Sequence, residues 1–208
     1  MKTVLITDSQ TELGLSLVKL FLDEKYQVVS AYTENTVSKA IDSLQRQGLL
    51  AVKWNRPSRL SAKNLIFKIR NSFSSLEAAF ILCFGPPDQA GFPAINPLYL
   101  EHFLDKHLKG SLFLIQELLN YFARQGKGWL TLIFLKQAES DSFFKLYHES
   151  LLELIKYLAK AQAFASLHLN AIKISKSGLR QNGQSLAPLL YKAYQEKCNK
   201  SNGKVFSL

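Results

Sequence analysis

Residues 1–22 constrain the fold most strongly, because they combine a buried strand, a tight turn and an amphipathic helix. Val4, Leu5 and Ile6 form a continuous apolar run, which is typical of a strand buried in a parallel sheet. Behind the turn, four apolar residues recur at helical spacing: Leu13, Leu17, Leu20 and Phe21. A strand followed directly by a helix begins a βαβ unit, so the segment predicts a parallel sheet.

The same alternation continues along the chain. We expect strands near residues 2–7, 27–32, 50–54, 78–84, 129–135, 167–173 and 203–207. Periodicity marks three helices between them, at 98–122, 143–163 and 186–197. The predicted fold class is α/β, a Rossmann-like doubly wound parallel sheet of about seven strands with helices on both faces. Because no linker or charge block divides the 208 residues, we expect one domain over 1–208.

Composition argues against several classes of protein. No stretch approaches a membrane span, and the first apolar run is too short for a signal peptide, so we expect a cytoplasmic protein with no membrane partner. Cys83 and Cys198 have neither the spacing of metal ligands nor that of a disulfide framework. They predict two reduced thiols and no metal site.

The formal net charge of +10 raises the question of an anionic partner. The basic residues are spread along the chain and do not alternate with aromatic residues, so we favour solvated helix faces over nucleic-acid binding. Two loose basic groups stand out: Lys53, Arg56, Arg59, Lys63, Lys68 and Arg70, and then Lys192, Lys197, Lys200 and Lys204.

The turn after the first strand resembles that of the short-chain dehydrogenase/reductase family, which reads Thr-Gly-x-x-x-Gly-Ile-Gly. Thr7, Leu13 and Gly14 match this motif, whereas Asp8 and Glu12 stand at the first two glycine positions. Further matches follow in the family's order, at 82–85, 105–110, 128–135, 169–172 and 202–206. The resemblance therefore covers essentially the whole chain.

The resemblance implies a dinucleotide site at the carboxyl ends of the strands. Its positions fall here on Ser9, Gln10, Leu13, Gly14, Asn55 and Gly85. Asp8 and Glu12, however, place carboxylates where a pyrophosphate needs glycine and a free helix N-terminus. A carboxylate about 5 Å from a phosphate costs roughly 3 kcal/mol at an effective dielectric constant of 20. We expect no cofactor, with a weakly bound NAD or NADP as the alternative, and we expect Asp8 or Ser9 to cap the helix.

The family reduces carbonyls with a tyrosine that donates a proton, a lysine four residues later, a serine and an asparagine. No tyrosine of this chain is followed by lysine at that spacing. Aligning 158–160 with the family's Leu-Ala-Lys places Phe144 at the tyrosine position and His148 at the lysine position. By the same alignment, Phe134 or Leu135 replaces the serine and His107 replaces the asparagine.

Three residues remain as catalytic candidates: Tyr147, His148 and His107. Neighbouring helix residues point about 100° apart, so Tyr147 and His148 cannot both face one substrate atom. We interpret Tyr147 as a core or interface residue and the two histidines as structural or solvated.

In the family, two long helices pair with a second subunit. Here the helix at 143–163 has an apolar stripe that Leu152 widens beyond one sheet face, so we expect a homodimer through helices 98–122 and 143–163. After Ile174 only about thirty residues precede the last strand, which leaves little for the family's substrate-binding insertion.

We interpret the chain as a degenerate relative of this family that retains the fold and has lost the hydride-transfer machinery. Its role is then non-catalytic, in binding or scaffolding. One alternative is a divergent NAD(P)-dependent oxidoreductase that uses another acid, such as Tyr147. The other is a basic-surface module that holds an anionic ligand.

Overall fold

Seven strands form one parallel sheet in the computed structural model, which describes residues 1–33, 47–83, 96–135, 142–161, 165–174, 183–196 and 198–208. The strands are Thr3–Ile6 (β1), Gln27–Tyr32 (β2), Leu49–Lys53 (β3), Ala78–Cys83 (β4), Gly128–Leu135 (β5), Leu167–Ile174 (β6) and Val205–Ser207 (β7). Their order is β3-β2-β1-β4-β5-β6-β7. The order reverses between β1 and β4, which opens a crevice at the carboxyl ends of these two strands. The predicted fold class is confirmed.

The described helices connect these strands on both faces of the sheet. They are Glu12–Asp23 (α1), Arg59–Ser72 (α2), Pro97–Phe103 (α3), Gly110–Gln125 (α4), Ser142–Lys160 (α5) and Gly183–Glu196 (α6). Residues 97–125 are helical without a break, which confirms the helix predicted at 98–122, but a π-helical segment, Leu104–Lys109, lies between α3 and α4. The periodicity of apolar residues did not predict this π-helical segment.

Two apolar clusters fill the space between the sheet and the helices. α2, α4 and α5 cover one face, and α1 and α6 cover the other. The interior therefore has the doubly wound arrangement that the sequence predicts. Within the described ranges no helix is both long enough and apolar enough to cross a bilayer.

The wide apolar stripe of α5 is largely covered within the chain itself. Tyr147, Leu151, Leu152 and Ile155 are all buried, and Leu152 is only 1% exposed. The premise that Leu152 lies beyond the reach of the sheet was therefore wrong, because it belongs to the same core cluster as the sheet residues. The homodimer remains a prediction.

The turn between β1 and α1 is held by Thr11. Its Oγ1 accepts a hydrogen bond from the Gly14 N–H at 3.1 Å, and both its N–H and its hydroxyl donate to the Asp8 carbonyl oxygen. The expectation that Asp8 or Ser9 caps the helix was wrong. Asp8 has a left-handed φ of 49°, and the Ser9 hydroxyl turns away to donate to the Ala31 carbonyl at 3.1 Å.

Gly14 is required by the close packing of α1 on this turn. A Cβ at Gly14 would overlap the Asp8 carbonyl oxygen and lie 2.7 Å from the Ser9 Cα. Because both obstacles are backbone atoms, we expect Gly14→Ala to lower the free energy of unfolding by about 1–3 kcal/mol, despite alanine's better helix propensity. Urea unfolding measures this, with Ser16→Ala in the same helix as the control. A Gly14→Ala protein as stable as this control would contradict the packing.

Candidate functional site

A buried arginine bridges the two strands that flank the crevice. Arg56, in the loop after β3, is only 3% exposed. Its Nη2 forms an ion pair with the Asp8 carboxylate and also donates to the Leu82 carbonyl oxygen at 3.2 Å. Asp8 follows β1 and Leu82 lies in β4. The guanidinium therefore spans the crevice at the point where the strand order reverses.

The surroundings of Arg56 keep it charged. Burial by itself lowers the pKa of Arg56, but the Asp8 carboxylate and other neighbours outweigh this effect and raise it. The guanidinium carbon also lies 5.6 Å from the centre of the Trp54 ring, a cation–π distance. A charged pair forms at this depth because each partner compensates the desolvation of the other.

The Asp8–Arg56 ion pair corrects two interpretations of the sequence. Arg56 belongs to a basic group that we assigned to solvated surface, yet it is buried. Asp8 was expected to present an unpaired carboxylate to a phosphate, but its charge is neutralised within the chain. The partners are 48 residues apart, so no local pattern joins them. The available signal was an acidic residue in a buried turn, which requires a cationic partner.

Gln10 satisfies the second oxygen of the Asp8 carboxylate. Its Nε2 donates to Asp8 Oδ1 at 3.2 Å and to the Thr33 hydroxyl at 2.9 Å. In return, the Thr33 N–H donates to Gln10 Oε1 at 3.3 Å. Both carboxylate oxygens of Asp8 thus have partners within the chain, and the turn is tied to the end of β2.

His107, in the π-helical segment, lies close to Arg56. Gly110, directly after the segment, permits this approach, since a Cβ there would lie 2.8 Å from the Arg56 carbonyl oxygen. Nδ1 of His107 lies 3.4 Å from Arg56 Nη1, and its ring stacks on Phe103 with centroids 4.8 Å apart. His107 is therefore a buried component of the cluster around Arg56.

Tyr147 lies in the core, as one of its two sequence interpretations predicts. It is 2% exposed, and its hydroxyl lies 3.0 Å from the Ser111 Oγ and beside the Cys83 thiol. Burial raises the pKa of Tyr147 well above its ordinary value, and burial likewise raises the pKa of Cys83 to about 12. A buried phenol with a raised pKa is a poor proton donor.

His148 is held beside Tyr147 but has a different partner. Its Nε2–H donates to the Cys83 carbonyl oxygen at 3.2 Å, and its ring packs against Phe134 with centroids 4.5 Å apart. Burial lowers the pKa of His148 to about 4, so the imidazole is neutral at pH 7. A neutral imidazole cannot replace the ammonium of the family's lysine.

The residues at the predicted cofactor positions lie in different environments. Ser9 is fully buried against β2, and Leu13, in the first turn of α1, packs into the core between α1 and the sheet. Gly14 contacts the turn and Gln10 is engaged with Asp8, as described above. The Asn55 N–H donates to the Ser61 hydroxyl at 2.8 Å, at the edge of an open cleft. Gly85 lies outside the described residues. Their role in cofactor binding stays a prediction.

The open cleft has a volume of about 520 Å³ and adjoins the Arg56 loop. It is lined by Thr33, Lys53, Trp54, Asn55, Arg56, Pro57, His102, Asp105 and Lys106. Behind this wall, the buried Nε1 of Trp54 and Nε of Arg56 have no hydrogen-bond partner within the described part of the chain. The sequence did not predict His102 and Lys106 as residues of this site, because they lie in α3 and the π-helical segment, about 50 residues after the Arg56 loop.

Comparisons with known proteins place this fold. No family model matches the chain, and no curated protein matches it. L-sorbose reductase from Gluconobacter frateurii, solved with NADPH and L-sorbose, superposes with a TM-score of 0.83 at 14% identity, over 100% of this chain and 94% of that chain. Levodione reductase superposes with a TM-score of 0.85 at 12% identity, over 100% and 95%.

At these identities the similarity establishes the fold alone. The chain is an α/β protein with a Rossmann-type sheet. More narrowly, it has the fold of short-chain dehydrogenases/reductases, which confirms at the level of fold the resemblance carried by Thr7, Leu13 and Gly14.

Removing one partner of the Asp8–Arg56 ion pair should destabilise the protein strongly. We expect Arg56→Met to lower the free energy of unfolding by about 3–5 kcal/mol, because a buried carboxylate is left uncompensated. Asp8→Asn/Arg56→Met should recover much of this loss, since asparagine tolerates the left-handed backbone. Lys192→Met is the matched control, because Lys192 lies 3.8 Å from Glu196, both side chains are exposed, and the pair should contribute below about 1 kcal/mol. Equal losses for Arg56→Met and Lys192→Met in urea unfolding would refute this assignment.

His148 should make the protein less stable in acid. Its folded pKa of about 4 lies below the ordinary 6.5, so its contribution is complete above pH 6.5 and is lost as the pH falls through 4. His148→Gln retains an N–H donor for Cys83 and does not titrate. Between pH 7 and 4 the wild type should lose up to about 3 kcal/mol more than this variant. Exposed His102→Gln serves as the control, and parallel stability curves for wild type and His148→Gln would contradict the assignment.

Proposed function

We propose that this chain is a non-catalytic binding or scaffolding protein built on the fold of short-chain dehydrogenases/reductases. The observation that carries the proposal is the Asp8–Arg56 ion pair across the crevice. In sheets of this type a dinucleotide lies at the carboxyl ends of the strands, where the strand order reverses. Here a side chain of the protein itself bridges β1 and β4 at that place.

The ion pair disfavours dinucleotide binding in two ways. A pyrophosphate in the crevice would have to draw Arg56 away from Asp8, which leaves a buried carboxylate without a counter-charge. The Asp8 side chain also stands where the family's first glycine lets the backbone approach the phosphates. Competition with an internal ion pair therefore adds to the steric obstacle.

The surroundings of Tyr147 support the absence of reductase chemistry. Its hydroxyl is enclosed by Ser111 and Cys83, so a carbonyl substrate has no approach to it without rearrangement of the core. Phe134 or Leu135 stands at the family's serine position, and neither side chain can form a hydrogen bond. Neither a proton donor nor a group to orient a carbonyl is thus available at these positions.

We further propose that the protein is cytoplasmic and a homodimer, with exposed Leu146 and Tyr157 of α5 at the interface.

A second candidate function is the binding of a small anion in the open cleft. Lys53, His102 and Lys106 line this cleft together with a single carboxylate, that of Asp105. The carboxylate is already paired with Lys109 at 3.0 Å, so it does not by itself neutralise Lys106.

A dinucleotide titration tests the proposed function. NADH or NADPH at millimolar concentration should leave the thermal midpoint of the wild type unchanged, because a ligand raises it only by binding the native state. Asp8→Gly/Glu12→Gly/Arg56→Met restores the glycines and removes the internal cation, so its midpoint should rise. Asp8→Asn/Arg56→Met, which lacks the ion pair but retains the side chain in the turn, is the control and should not respond.

Two results would overturn the proposal. One is a rise of the wild-type midpoint with either dinucleotide. The other is oxidation of NADPH by the wild type in the presence of a carbonyl substrate such as L-sorbose, which the similar reductase was solved with. A rise with inorganic pyrophosphate alone, abolished by Lys106→Gln and by added salt, would instead favour the anion-binding cleft.

A further inference from the structure

Helix α2 presents an apolar line to solvent on the side opposite the core. Its inner face is buried through Ala62, Leu65 and Ile69. Leu60 is 67% exposed and Phe67 is 61% exposed, and they are two helical turns apart, about 10 Å along the axis. A single exposed apolar residue would need no explanation, whereas Leu60 and Phe67 lie on the same outer face of one helix, with polar Asn64 between them.

Basic residues flank this apolar line on both sides. At 3.6 residues per turn, Lys63 and Arg70 lie about 60° to one side of it and Lys68 about 90° to the other. All three are exposed, and among the described residues none of them forms an ion pair. α2 contains no acidic residue at all. The outer face therefore combines positive charge with apolar side chains.

We propose that the outer face of α2 is a peripheral binding surface for an anionic lipid bilayer. Leu60 and Phe67 enter the headgroup region, while Lys63, Lys68 and Arg70 contact lipid phosphates and carboxylates. The expectation of no membrane partner rested on the lack of a spanning segment, which a helix lying on the surface does not need. The inference is independent of the proposed function, because it uses none of the crevice residues.

Other occupants fit this face less well. A second copy of the chain would place two such faces against each other in a symmetric pair, so like charges would meet. A nucleic acid would satisfy Lys63, Lys68 and Arg70 but would leave Leu60 in water, and Phe67 is the one aromatic residue available for stacking. An anionic bilayer uses both the charge and the apolar line.

Co-sedimentation of the purified chain with lipid vesicles tests the proposal. The chain should sediment with phosphatidylcholine vesicles that contain about one-third phosphatidylserine and remain in solution with pure phosphatidylcholine. Each cation near the surface contributes roughly fivefold to the affinity, so Lys63→Gln/Lys68→Gln/Arg70→Gln should weaken binding roughly 100-fold. Leu60→Ser/Phe67→Ser should also weaken it, about tenfold or more, through the lost apolar insertion.

Lys19→Gln/Lys200→Gln/Lys204→Gln is the matched control, because it removes the same charge from exposed sites on other elements. It should bind nearly as well as the wild type. Circular dichroism and the thermal midpoint verify folding of every variant. The proposal is overturned if anionic vesicles do not bind the chain, or if the control loses as much affinity as the α2 variants. It is also overturned if the chain binds a single-stranded oligonucleotide through Lys63, Lys68 and Arg70 and does not bind the vesicles.

Discussion

The ion pair between Asp8 and Arg56 is the interaction on which the site depends. It lies in the crevice between β1 and β4, buried from solvent, and it ties the first turn of the chain to the loop after β3. Gly14 and Gly110 permit the close backbone approach on either side of the pair. An ion pair at this depth is stable only while both partners are present. The pair therefore holds the two sides of the crevice together.

A core of mixed polarity continues from Arg56 to α5. His107 follows next, and beyond it the Tyr147 hydroxyl lies within hydrogen-bond distance of Ser111 and beside Cys83. In the arrangement that the sequence resembles, a catalytic tyrosine faces a substrate cavity. Here the phenol instead satisfies buried polar neighbours, and its raised pKa follows from that burial. Polar residues are thus retained near the expected catalytic positions, but their hydrogen bonds serve the core.

The sequence was sufficient for the architecture and not for the site. Continuous apolar strands and amphipathic helices predict a doubly wound sheet, because the spacing of apolar residues within each element indicates which of its faces is buried. Asp8–Arg56 joins residues 48 positions apart, and His107 meets Arg56 from a π-helical segment 51 positions further along the chain. Such contacts depend on tertiary packing, which composition and spacing do not encode. Even so, an aspartate at a glycine position of a buried turn already signalled an unseen cation.

A crystal structure of the wild-type chain grown with millimolar NADPH would test the central claim most directly. We predict that the Arg56 guanidinium stays on the Asp8 carboxylate and the Leu82 carbonyl oxygen, with no dinucleotide between β1 and β4. A pyrophosphate bound in that crevice, with Arg56 displaced from Asp8, would contradict the claim that the ion pair has taken the place of the cofactor.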